Sequence, residues 1–191
     1  MAWSKTHKPQ SRDAIVTAAA TLFTERGYER VGIDEVMAAA GLTRGAFYAH
    51  FDSKSALYAE AIAVAAIRAR DHILERTPVT PSLADIAERY LSRERADGGS
   101  NRCPLAFLAT DIQLRNQQVR DAYARVFKGF VGNIAGADQR DKQDTAALQA
   151  AVLMVGGLAL ARALGDDPIG DQVLAVSKKA IAQLTDNTQH S

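Results

Sequence analysis

Cysteine, proline and net charge are all scarce in this chain of 191 residues. The single cysteine, Cys103, excludes a disulfide framework within the chain. The start, MAWSKTHKPQSRD, is polar and lacks the apolar stretch of a secretory leader, so the expected location is the cytoplasm. Twenty-three basic residues against 22 acidic ones leave a net charge of +1. That balance excludes a globally basic nucleic-acid binder and leaves room for a local basic site. The longest apolar run, Ala150 to Ala161, holds two glycines. It falls short of the roughly 20 residues that span a bilayer, so no membrane partner is expected. Catalytic signatures are missing too. There is no Glu-x-x-His or His-Glu-x-x-His for a metal and no Gly-x-Gly-x-x-Gly or P-loop for a nucleotide. The four histidines, His7, His50, His72 and His190, are scattered. No catalytic residue, metal or cofactor is therefore assigned. No repeat, low-complexity tract or sustained strand alternation occurs.

What is abundant is alanine, 36 residues against only 5 prolines. Alanine has the best helix propensity and proline the worst, so the composition favours helix. The length suits one domain or two small ones, at about 150 residues each. The first twelve residues carry Lys5, Lys8 and Arg12 with no acid before Asp13 and read as a flexible basic arm. Ile15, Ala18, Ala19, Leu22 and Phe23 then form one helical stripe that ends at Gly27. Ile33, Val36, Met37 and Ala40 mark a short second helix ending at Gly41. Thr43 caps a third, Arg44 to His50. Asp52 or Ser53 caps a fourth that runs to about Glu75. Further helices are expected at Leu83 to Arg95, Pro104 to Leu114, Val119 to Phe130, Ala146 to Leu164 and Ile169 to Leu184. Between them lie a loop at Asp97 to Asn101 and a polar stretch from Gly132 to Asp144. The expected fold is all-α with about nine helices. A small N-terminal unit with a helix-turn-helix at about 32–51 occupies residues 1–55, and a larger helical bundle occupies 56–191.

The second and third helices, joined by Ala40-Gly41-Leu42-Thr43, have the layout that sets a recognition helix into a DNA major groove. Arg44 and Lys54 sit in first turns, where cations oppose the helix dipole at about 0.3–1 kcal/mol each. A phosphate backbone nearby accounts for both, as does plain solvation. Gly45 costs a short helix about 1 kcal/mol against alanine; either close approach to a ligand surface explains it or the glycine is incidental. Phe47, His50 and Phe51 share one face, directed at Leu22 and Phe23. Arg44 and Tyr48 share another, by i,i+4 spacing.

These residues resemble the N-terminal domain of TetR-type transcriptional regulators. The resemblance runs from Arg12 to Leu57, about a quarter of the chain. It rests on the Ala–Leu–Phe run before Glu25-Arg26-Gly27-Tyr28, then Ile33-Asp34-Glu35-Val36, Ala40-Gly41-Leu42-Thr43-Arg44-Gly45, Phe47-Tyr48-Ala49-His50-Phe51 and Ser53-Lys54. It implies a homodimer that binds a palindromic operator in double-stranded DNA and usually represses. It implies that Thr43, Arg44, Gly45 and Tyr48 contact DNA, and that His50 and Lys54 contact phosphates. Gly32 departs from the pattern, which commonly has a Thr or Ser hydroxyl there.

The resemblance also places a small-molecule inducer and the dimer interface in the C-terminal bundle. Candidate pocket residues are Cys103, Phe107, Asp111, Tyr123, Phe127 and Met154, with Leu108 and Phe130 beside them. Each is equally readable as core. Cys103, next to Arg102 and ahead of Pro104, suits either a buried small residue or a thiol that senses electrophiles. The last two long helices are too apolar for one buried stripe each. A four-helix dimer seam satisfies them, with Gly156-Gly157 permitting close approach; burial within a monomer is the alternative. The leading reading is a ligand-responsive repressor. The alternatives are a helical-bundle enzyme and an interaction module without DNA binding. A near-neutral chain engages few phosphates, so a moderate salt dependence of DNA binding is expected.

Overall fold

The computed structural model describes residues 7–97, 102–135 and 143–188, and every regular element among them is helical. The first four helices are α1 (His7–Arg26), α2 (Ile33–Ala39), α3 (Arg44–Phe47) and α4 (Lys54–Leu74). Gly27 and Gly41 both adopt positive φ, +77° and +69°, which ends α1 and turns the chain between α2 and α3 at no Cβ cost. Ser53 caps α4 by accepting from the Ala56 N–H at 3.1 Å. Ile15, Phe23, Val36, Met37, Phe47, Phe51 and Leu57 close a core beneath these helices.

α1 begins at His7, earlier than the sequence suggests, so residues 7–12 are helix rather than flexible arm. Arg12 pairs with Glu60 on α4 at 2.6 Å, and its guanidinium lies 4.9 Å from the Phe51 ring centre. Those two contacts tether the turn that charge alone reads as an arm. Lys5 lies outside the described residues. α3 is shorter than Arg44 to His50: the His50 and Phe51 N–H groups both converge on the Phe47 carbonyl, which tightens the chain into a turn.

The remainder comprises α5 (Leu83–Tyr90), α6 (Arg93–Ala96), α7 (Pro104–Phe107), α8 (Ala109–Ile112), α9 (Gln117–Ala135), α10 (Gln143–Leu164) and α11 (Pro168–Thr188). Two expected helices are each split, which raises the number of helical segments among the described residues from about nine to eleven. The splits fall at Leu91 and Leu108, both almost fully buried and both outside ideal helical dihedrals. Burying each leucine turns the chain out of its helix. α5 itself starts with a capping box in which Ser82 and Asp85 satisfy each other's backbone N–H. α9 continues through Gly132 to Ala135, three residues past the expected loop boundary. The expected loop at 98–101 and the segment 136–142 lie outside the described residues.

α4 passes unbroken through the expected boundary at 55/56. Its first half joins the N-terminal core, and Ala69 and Ile73 join a second core with Tyr90, Leu105, Met154, Leu158 and Ile181. α10 and α11 pack side by side. A Cβ on Gly157 would stand 2.7 Å from the Ser177 hydroxyl oxygen of α11 and 3.1 Å from Leu91. The close approach assigned to a dimer seam is thus made inside the protomer at Gly157, while Gly156 faces open space. Thr145–Leu164 of α10 reaches a mean hydropathy of 1.7, long and apolar enough to cross a membrane by length and composition. The longest uninterrupted run understates this because Gln149 and Arg162 are embedded among apolar residues. Ala147, Ala150, Ala151, Met154, Leu158 and Ala161 are buried in the bundle, the pattern of a core helix.

Candidate nucleic-acid interface

α3 is a four-residue helix with two opposite faces. Phe47 is wholly buried and Phe51, just after it, is nearly so. Thr43, Arg44, Gly45 and Tyr48 all face solvent, Tyr48 at 61% exposure. The Tyr48 ring stands edge-on to Phe47, with 5.1 Å between ring centres. A core aromatic therefore props up an exposed one. Thr43 takes the cap position of α3, but its hydroxyl makes no capping bond. No heavy atom comes within 4 Å of a Cβ built at Gly45, so nothing in the protein explains the glycine. The geometry brings these four predicted residues onto one outer surface. His50 is half-buried at its edge.

Arg44 donates to Asp34 of α2 at 2.6 Å, with both side chains more than half exposed. Ion pairs this exposed contribute about 0–1 kcal/mol. Asp34 therefore positions Arg44 without committing it. Sequence pattern alone does not reveal this partner, although Asp34 lies within the motif. Arg26 is paired with Glu35 in the same way.

Lys54 behaves differently. It is the first residue of α4, and its Nζ sits 4.1 Å from the Tyr28 ring centre. Partial burial lowers its pKa, opposed by the nearby Glu29 carboxylate. Arg115, between α8 and α9, lies 4.5 Å from the same ring. Arg115 also donates to Glu29 and lies 3.5 Å from Asp111, and Asp111 accepts from the Tyr58 hydroxyl at 2.6 Å. Burial first, then this bond to Asp111, raises the Tyr58 pKa far above the usual phenol value. Glu29 titrates below the usual carboxylate range because Arg115 donates to it. Tyr28, Glu29, Asp111 and Arg115 thus clamp the N-terminal helices to the bundle. Contacts across such sequence separations leave no periodic trace.

A cavity of about 600 Å³ opens between α4, α5, α7 and α9. Cys103 and Phe130 line it; Phe107, Asp111, Tyr123, Phe127 and Met154 do not. Asp111 belongs to the clamp. Phe107 lies under the Arg162 guanidinium at 3.9 Å. Tyr123 donates to the Leu105 carbonyl at 2.6 Å, and burial pushes its pKa up to about 12. Phe127 packs half-buried against the second core, and Met154 is wholly inside it. Cys103 is buried and accepts from the Tyr90 hydroxyl at 2.9 Å.

A short solvent-facing helix with a buried aromatic base, following a glycine turn and mounted on a helical bundle, is a helix-turn-helix layout. Comparison with known proteins narrows the class. A family model described as bacterial regulatory proteins, tetR family, matches residues 15–61. The chain is 37% identical over 81 residues to the transposon Tn10 TetC protein of Escherichia coli, the match covering 41% of each. It is 33% identical over 51 residues to the biofilm operon icaADBC HTH-type negative transcriptional regulator IcaR of Staphylococcus aureus (strain Newman), 27% of each. These matches span less than half the length of either relative. Beyond them the fold carries the likeness. The TetR-family transcriptional regulator of Cytophaga hutchinsonii superposes with a TM-score of 0.76 over 96% of this chain and 98% of that one, at 17% identity. Residues 15–61 thus resemble the tetR family of bacterial regulatory proteins in sequence, and the whole chain has the fold of a solved TetR-family regulator.

Proposed function

We propose that this protein is a cytoplasmic, ligand-released repressor that binds a palindromic operator as a homodimer. The observation that carries the DNA-binding reading is the division of α3: Phe47 is fixed in the core while Thr43, Arg44, Gly45 and Tyr48 stand outside. Arg44 suits a guanine edge or a phosphate, Tyr48 a phosphate or a thymine methyl, and Gly45 lets the backbone come close. His50 and Lys54 flank them as phosphate contacts. Repression is supported by the negative regulator among the relatives.

Dimerisation is supported by the outer faces of α10 and α11. Leu148, Val152, Leu160 and Ile169 are exposed large apolar residues, and so is Val176. Pairing these faces with a second copy buries them in a four-helix seam. Ligand response is supported by the cavity, whose walls α4 and α9 extend to the clamp around Tyr28 and Lys54. A ligand that favours a wider separation of these helices shifts the dimer away from the half-site spacing of about 34–36 Å that successive major grooves require.

Fluorescence anisotropy of labelled DNA from beside the protein's own gene, against random DNA at two salt concentrations, tests this reading. Specific binding with two protomers per site, lost in Tyr48→Ala with the helix content unchanged, is the expected result. Equal affinity of wild type and Tyr48→Ala for every DNA overturns it.

A further inference from the structure

The cavity between α4 and α9 has a chemistry that selects its occupant. Among the described residues its one charged wall residue is Arg70, whose bonds to Asp71 on the same helix, at 2.9 and 2.7 Å, join side chains about half exposed and leave Arg70 available to a second partner. No acid among them lines it, so a cationic ligand finds no counter-charge. The Tyr90 hydroxyl is directed into the wall, at Cys103 Sγ. Meanwhile Ile67 and Leu74 keep half or nearly half of their surface exposed along the α4 side. Apolar surface left uncovered beside an open cavity is surface that an apolar ligand covers, at about 25 cal/mol per Å².

Gly129 adds an independent observation. It lies well inside the 19-residue α9, where glycine costs about 1 kcal/mol relative to alanine. Its backbone is ordinary helix, and no heavy atom lies within 4 Å of a Cβ built there. Neither a left-handed turn nor close packing accounts for it. Its empty side opens on the cavity, in register with Val126, Phe130 and Asn133. Gly132, one turn on, is equally unobstructed but is not part of the wall.

We propose that this cavity takes a predominantly apolar small molecule that carries no positive charge and that Gly129 keeps the space open for it. The proposal rests on the ligand-released reading above and names the ligand class. A volume of about 600 Å³ falls within the range of small-molecule sites.

The test titrates the full chain with two dyes that share a chromophore, neutral 1,6-diphenyl-1,3,5-hexatriene and its cationic trimethylammonium derivative. The neutral dye is expected to bind at least about tenfold more tightly, because the ammonium finds no acid in the described wall and meets Arg70 there. Gly129→Leu should weaken the neutral dye at least about tenfold by filling the space, with helix content and Tm kept or raised. Gly129→Ala should give a smaller loss in the same direction, and Gly132→Leu should bind as wild type. Cationic-dye binding as tight as neutral binding overturns the ligand class. Wild-type affinity in Gly129→Leu overturns the role of Gly129, and absence of neutral-dye binding to wild type overturns both. Operator binding is measured in parallel on the same samples. Its absence with dye binding intact contradicts the repressor reading alone; its presence with dye binding absent contradicts this inference alone.

Discussion

The N-terminal helices and the C-terminal bundle are written in different languages. In the first, five residues between Gly41 and Lys54 each hold a distinct place. Gly41 makes a left-handed turn, Arg44 stands exposed, Phe47 fills the core, Tyr48 faces outward and Ser53 caps a helix. In the second, the faces of α10 and α11 are built from interchangeable alanines, valines and leucines. The family model accordingly matches residues 15–61, while beyond them the fold similarity persists at 17% identity. The difference is physical. A DNA groove fixes residue type and position together. A bundle core asks only for apolar volume at the right period, and many sequences satisfy that. Specific chemistry in the bundle therefore has to be found in exceptions to its pattern, such as Gly129, Arg115 and Cys103.

The comparison predicts distinct consequences of mutation. Phe47→Ala removes a wholly buried ring from the N-terminal core. A loss of about 3–5 kcal/mol is expected in denaturant unfolding. If the N-terminal core and the bundle unfold together, that loss appears as a shift of one transition; an early separate transition shows that α4 fails to couple them. Val176→Asp, on the exposed face of α11, should leave the protomer's helix content intact and convert a dimer to monomers in sedimentation, at least at micromolar concentration. Unchanged mass would contradict the seam. Arg115→Ala should destabilise by about 1–3 kcal/mol, since it removes the donor to Glu29 and leaves Asp111 without its guanidinium. Its additional signature is weaker operator binding, although Arg115 lies outside the recognition surface.

Acid should test the same clamp. Glu29 has a folded pKa below its unfolded value, so its contribution is present above the ordinary carboxylate range and lost as pH falls through the folded value. A Tm–pH curve should therefore drop less steeply in Glu29→Gln than in wild type below about pH 4. Parallel curves would show that Glu29 adds nothing to folding. The smallest effect is expected at Gly32, the uncapped start of α2, where a Cβ meets no atom within 4 Å. Gly32→Ser should raise stability by a few tenths of a kcal/mol through capping. It should also tighten DNA binding if the added hydroxyl reaches a phosphate.

How much of this was legible in the sequence follows the same divide. The helix-turn-helix, the burial of Phe47 and Phe51 and the exposure of Arg44 and Tyr48 follow from period and turn chemistry, and the structure has them. Helix existence in the bundle was equally legible. The breaks at Leu91 and Leu108 were not, because burial of one leucine overrides propensity. The pocket residues were the hardest to read. Aromatics at helical spacing look alike whether they pack, as Phe127 does, or line a cavity, as Phe130 does. Pairings such as Arg44 with Asp34 and Arg115 with Glu29 arise only once the chain has folded.

The central claim is that the outer surface of α3 reads DNA. The most direct measurement is selection of sequences from a random double-stranded library by wild type and by Arg44→Ala/Tyr48→Ala at matched salt. The account predicts that wild type enriches one inverted repeat and that the double variant, folded and dimeric, enriches none. Enrichment of the same repeat by both proteins, or of no sequence by wild type, would contradict it.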